Sequence, residues 1–123
     1  MAGIVLASEK PPADYQRAMK GLGAAQMSLR GNVTTRNYDG VARDAATIKV
    51  SLVIAEQFWN ARRAQDAMDF AKAGLKGATE LETAANTRND EGIATAQKAI
   101  GVACMGCHTA HRERLPDGTF EIK

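Results

Sequence analysis

Four stretches of this 123-residue chain repeat their apolar residues in alternating steps of three and four. Such spacing gathers each set on one stripe of an α-helix, and an apolar stripe must be buried against a neighbour. The first stretch, 12–30, carries Tyr15, Ala18, Met19, Leu22, Ala25 and Leu29. The second, 37–58, carries Tyr38, Val41, Ala45, Ile48, Leu52 and Ala55, with Trp59 just beyond. The third, 61–86, carries Ala64, Met68, Ala71, Leu75, Ala78 and Ala85, flanked by Phe70 and Leu81. The fourth, 90–114, carries Ile93, Ala96, Ile100, Ala103, Cys107 and Ala110. No strand-like alternation extends beyond a few residues. Four amphipathic helices with short links predict an all-α, antiparallel four-helix bundle.

Punctuation residues set the expected limits. Pro11-Pro12 opens the first helix and Asp14 suits its positive end. Gly31-Asn32 is a stop signal. Asn37 or Asp39 starts the second helix, Asn89 or Asp90 caps the fourth, and Glu91 favours its first turn. Pro116 is expected to end the fourth helix, with Asp117-Gly118 turning into a short tail. The reading is one domain over 12–114, a flexible lead-in over 1–11 and a tail over 115–123. No repeat or low-complexity tract stands out. Gly21 and Gly23 lie inside the first helix, where each costs about 1 kcal/mol against Ala. Close approach by a bulky group is the expected compensation.

Apolar residues make up 45 % of the chain but aromatics only 5 %, and alanine dominates. Such a core packs tightly but buries little area, a deficit that a large apolar cofactor repairs. The net charge of +2 comes without a run of like charge, so no nucleic-acid partner is expected. No apolar run reaches the ~20 residues of an integral membrane span. The opening, Met1 to Ser8, lacks a basic region and a full apolar stretch, and reads as a mature terminus from which an export signal is absent.

The two cysteines sit in Cys104-Met105-Gly106-Cys107-His108. C-x-x-C-H is the attachment motif of c-type haem. Two thiols three residues apart leave one side of a helical turn and can add to the two vinyl groups of a porphyrin. The adjacent imidazole then meets the iron. Cys104 and Cys107 are therefore expected to hold one covalent haem c, with His108 as iron ligand. Two rivals fit less well. A thioredoxin-like thiol pair needs a βαβ context. Zinc on Cys104, Cys107, His108 and His111 matches no common ligand spacing. A sixth iron ligand has three candidates, Met19, Met27 and Met68. Met19 is favoured because its thioether lies on the inward stripe, although a methionine there is ordinarily core filler.

On these residues the chain resembles the class II cytochromes c, the family of cytochrome c′ and its low-spin relatives. Three local matches carry the likeness, which spans 12–114. Cys104 to His108 followed by Arg112 is similar to the family's C-x-x-C-H-x-x-x-R/K. Met19-Lys20-Gly21-Leu22-Gly23 is similar to the first-helix segment that supplies the sixth ligand in low-spin members. Trp59 and Phe70 look like an aromatic pair before and within the third helix. The resemblance implies a four-helix bundle with the haem on its last helix and Met19 and His108 as iron ligands. It further implies a periplasmic location, redox partner proteins and, frequently, a homodimer through the first two helices. Tyr15 stands where many members carry a basic residue, and His111 where an aromatic is common.

The functional expectation is a soluble electron carrier, not an enzyme. The alternative is a gas-binding protein of the cytochrome c′ type, with an open or weakly held iron site for NO or CO. Arg112 is a candidate partner for a haem propionate, or a solvated charge. His111 is expected at the surface. Arg17 and Lys20 read as exposed helix charges, and Tyr15 as core with its hydroxyl at the haem edge as a secondary role.

Overall fold

A computed structural model describes residues 9–123. The chain forms α1 (Ala13–Thr34), α2 (Tyr38–Ala61), α3 (Gln65–Asn86), α4 (Asp90–His111), β1 (Arg112–Arg114) and β2 (Phe120–Ile122). The four helices run up-down-up-down, as the stripes require. The first, second and fourth stripes are buried nearly as read: Leu22, Leu29, Val41, Ile48, Ile93 and Ile100 all lie in one core. Ala110 is an exception and is exposed.

On α3 Ala71, Ala78 and Ala85 are buried as read, but the buried face extends to one side of the expected stripe. Ala67, Gly74, Gly77, Leu81 and Ala84 face inward, Met68 and Leu75 are half-buried, and Ala64 precedes the helix. Two glycines cause the extension. A Cβ on Gly74 would lie 2.8 Å from Leu52, and one on Gly77 2.9 Å from Ile100. With no side chain there, α2 and α4 close on α3 from both sides. A stripe counted from side chains alone misses that face. Gly21 is approached only by Ser51 Oγ, 3.3 Å from an added Cβ, and Gly23 faces open space, so no bulky group compensates it.

Helix ends differ from their sequence expectations at three places. α1 runs through Gly31-Asn32 to Thr34, because the left-handed turn residue is Arg36 (φ 53°). The link between α2 and α3 is Arg62-Arg63-Ala64, later than read, with Arg63 left-handed at φ 56°. α4 stops at His111, not near Pro116. Arg112 turns extended (φ −124°, ψ 129°) and β1 pairs antiparallel with β2, Arg112 opposite Ile122 and Arg114 opposite Phe120. The expected tail is therefore half of a hairpin. Glu9 joins it through two backbone hydrogen bonds with Ile122, 2.9 and 2.8 Å. The lead-in is tied down at Glu9, and its first eight residues lie outside the described residues.

A repeat does exist, in the turns. Thr35-Arg36-Asn37 and Thr87-Arg88-Asn89 adopt the same conformation, with Arg36 and Arg88 left-handed at φ 53° and 52°. In each, the Asn side chain accepts from the N–H of a glycine three residues on, Gly40 or Gly92, at 3.0 Å. Tyr38 and Asp90, 52 residues apart, join the two turns through a 2.8 Å hydrogen bond. The same offset pairs Leu29 with Leu81, Val41 with Ile93 and Ile48 with Ile100, which are the largest fully buried side chains. The α1–α2 and α3–α4 pairs thus share a turn and the core positions beside it, and the α2–α3 link repeats the same backbone turn without the Asn.

Candidate functional site

The packing of the helices is serial. α1 lies on α2, α2 on α3 and α3 on α4, but α1 and α4 approach much less closely. Along that weak seam runs a narrow cleft with about 30 Å³ of free space, roughly the volume of one water molecule. Tyr15, Met19 and Leu22 of α1 line one side, and Ala103, Cys104, Cys107 and His108 of α4 line the other. Leu52, Ala55 and Trp59 of α2 and Ala67, Phe70 and Ala71 of α3 form its back. The structure thus brings Met19 together with all three chemically distinctive residues of the motif. Met68 packs nearby without lining the cleft, and Met27 is 72 % exposed, away from it.

The motif sits on the last turns of α4, at the end of the bundle that also holds Trp59 and the hairpin. Gly106 has a local reason: Phe70 packs where its Cβ would stand, which lets the ring form the back wall of the cleft. Both cysteines are free thiols, half-buried. Burial pushes the Cys104 thiol up, opposed by a hydrogen bond from Gln26 Nε2 at 3.3 Å across the α1–α4 seam. Cys107 is pushed up to about 11 by burial, with Cys104 and Asp66 adding to it. Burial, then the Arg112 guanidinium, hold the His108 imidazole below its ordinary value. Near neutral pH the site therefore offers two thiols and a neutral imidazole with a free lone pair, the form that ligates metals.

Arg112 is not on the helix as expected. It opens β1, exposed, with its guanidinium 4.0 Å from the centre of the Phe120 ring. His111 is not a surface residue either. Its ring stacks on Trp59, centroids 4.5 Å apart, Nε2 meets Asp66 Oδ2 at 2.8 Å and Nδ1 meets the Lys123 carbonyl at 3.0 Å. Both its ring nitrogens are thus engaged, and among the described residues no three of His, Cys, Asp or Glu gather as a metal ion requires. A zinc site on this motif has no support.

Sequence reasoning missed Phe70 as a wall and Gln26 as the contact across the seam. The spacing of Gly106 and the position of Gln26 toward α4 signal both only once the helices are paired. Tyr15 is half of a buried pair: Trp59 Nε1 donates to its hydroxyl oxygen at 3.2 Å. Burial pushes the Tyr15 phenol up to about 12.

Comparison with known proteins finds no family model, no curated protein and no solved structure that matches this chain.

Proposed function

We propose that this chain is a monohaem c-type cytochrome that carries electrons, with a haem c seated in the α1–α4 cleft. One observation carries the reading. Cys104, Cys107 and His108, adjacent in sequence, line the same apolar cleft as Met19, which lies far from them in the chain. The donor set suits the group: two protonated thiols for its vinyl carbons, and a neutral imidazole and a thioether for the iron. Low aromatic content supports it too, because all aromatic residues except Tyr38 lie at this end of the bundle. When bound, the haem iron supplies a reversible one-electron couple.

The protein's own part is positional. Cys104 and Cys107 fix the group to α4. His108 and Met19 offer nitrogen and sulfur from opposite walls, a pairing that raises a reduction potential. Leu22, Leu52, Phe70 and Ala71 keep water from the back of the cleft. A motif on the last helix of a four-helix bundle is what the sequence resemblance to class II cytochromes c implies, and an exported, periplasmic protein serving redox partners belongs to the same proposal. So does a homodimer through α1 and α2, supported by exposed Met27, Val50 and Val53 on those helices. Among the described residues no helix is long and apolar enough to cross a membrane.

Absorption spectra test the reading. Coexpression with haem-attachment machinery should give a covalent product with sharp α and β bands when reduced and no response to CO. A reduced spectrum that shifts at once with CO overturns Met19 ligation and favours the gas-binding alternative. A product with no covalent haem overturns the proposal itself.

A further inference from the structure

Tyr15 holds an unexplained polar group beside the cleft. The residue is 8 % exposed and lines the cleft from the first turn of α1. Its hydroxyl oxygen spends one lone pair on the Trp59 Nε1–H bond. That bond leaves the hydroxyl's own hydrogen free, and no residue among those described accepts it. A buried donor with no acceptor forfeits its hydration without return. Trp59 cannot supply the acceptor, because an indole N–H only donates.

The surroundings select the kind of acceptor. Tyr15 stands in the first turn of α1, whose positive end is met by the Asp14 carboxylate. Arg112, on the strand that pairs with Ile122, lies near enough for its charge to act on the Tyr15 phenol, and Ile122 packs against Tyr15. The other titratable groups around it are Asp14, whose carboxylate takes the Tyr15 backbone N–H at 2.9 Å, and the Cys107 thiol. The Arg112 guanidinium and a spare hydroxyl donor, set against the one Asp14 carboxylate, suit an acceptor that carries negative charge.

We propose that the Tyr15 hydroxyl donates to a carboxylate oxygen at the hairpin end of the cleft, and that Trp59 positions it for that role. The assignment rests on the haem reading, because a haem in the cleft would bring two propionate carboxylates with it. A small carboxylate from solution has the same chemistry. Tyr15 is a positioning residue for the group in the cleft, and Trp59, by holding one lone pair, sets the direction of the remaining hydrogen.

The test compares the haem-loaded wild type with Tyr15→Phe and Trp59→Phe. Both variants lose the Tyr15–Trp59 bond, but only the first loses the donor. The readout is midpoint potential against pH. A donor on the carboxylate lowers its pKa, so its loss moves the inflection of the profile to higher pH. Tyr15→Phe should move it by about one unit, a tenfold change in proton affinity, and Trp59→Phe by much less. Circular dichroism confirms that both variants fold. Adding sodium acetate to the wild type separates the sources. A saturable change that Tyr15→Phe abolishes assigns the donor to a carboxylate from solution, and no change assigns it to a propionate. Equal shifts in the two variants, or none in either, overturn the assignment and leave the haem reading standing. A wild type that attaches no haem overturns both.

Discussion

The two tyrosines mark the two ends of the bundle. Tyr38 sits where the repeated turns meet. Its phenol is raised above the ordinary value chiefly by its hydrogen bond to Asp90, at the surface, with Arg88 lying over its ring at 5.7 Å. Tyr15 sits at the opposite end. It is buried and raised to about 12 by that burial, with its one side-chain bond shared with Trp59. The turn end is symmetric: both Asn side chains accept from a glycine N–H, Tyr38 donates to Asp90, and the core beneath is Leu29 and Val41 against Leu81 and Ile93. The cleft end breaks the symmetry. At the offset that matches the turns, Cys104 and Cys107 stand where α2 has Leu52 and Ala55. The bundle fills the α2–α3 seam with aliphatic packing and leaves the α1–α4 seam for something else. The aliphatic core is concentrated at one end, and the thiols, the imidazole of His108 and most of the aromatic rings at the other.

Substitutions can break that division. The largest effect is expected from replacing both Cys104 and Cys107 by Ala. Covalent haem should be lost completely by mass spectrometry, while the apo chain keeps its helical circular dichroism. Next comes the core toward the turns. Leu81→Ala or Ile100→Ala should cost about 2–5 kcal/mol in urea unfolding without changing the haem spectrum of the protein that remains folded. Gly77→Ala, which forces a methyl against Ile100, should cost about 1–3 kcal/mol. Alkaline titration compares the tyrosines directly. Tyr15 has a folded pKa above its unfolded value, so its contribution is whole below pH about 10 and is lost as pH rises toward about 12. That loss is worth up to about 2–3 kcal/mol, and Tyr15→Phe should flatten it. Tyr38→Phe should alter the profile far less, because the Tyr38 shift comes chiefly from its hydrogen bond to Asp90 and not from burial. The smallest effect is expected at the turns, where Arg36→Gly relieves a left-handed backbone and should be neutral or stabilising by under about 1 kcal/mol.

Much of this division is legible in the sequence, for physical reasons that differ by region. The stripes on α1, α2 and α4 are written in side chains of unequal hydropathy, so their buried faces could be counted. The face of α3 is written in Gly74 and Gly77, where burial comes from the absence of a side chain. The strand ending α4 was hidden because Arg112-Glu113-Arg114 is as compatible with a helix as with an edge strand. What decides between them is the backbone of Phe120 to Ile122, which no local pattern reveals. His111 reads as a surface residue until Asp66 and Lys123 are brought to it by two other elements. Cys104, Cys107 and His108 are legible as a group because their chemistry is local. Their meeting with Met19 is a tertiary fact, and so are Phe70 over Gly106 and the spare hydrogen of Tyr15.

The weak seam between α1 and α4 also bears on the order in which the chain assembles. The other three seams join helices consecutive in sequence, so they close through short loops and early. The α1–α4 seam joins residues as far apart as Gln26 and Cys104, 78 positions along the chain. It carries the highest loop-closure entropy and the fewest contacts to repay it, and it is expected to form last. The cysteines of α4 would then stand beside an open flank while the rest of the bundle is already in place, accessible from that side until α1 folds over them.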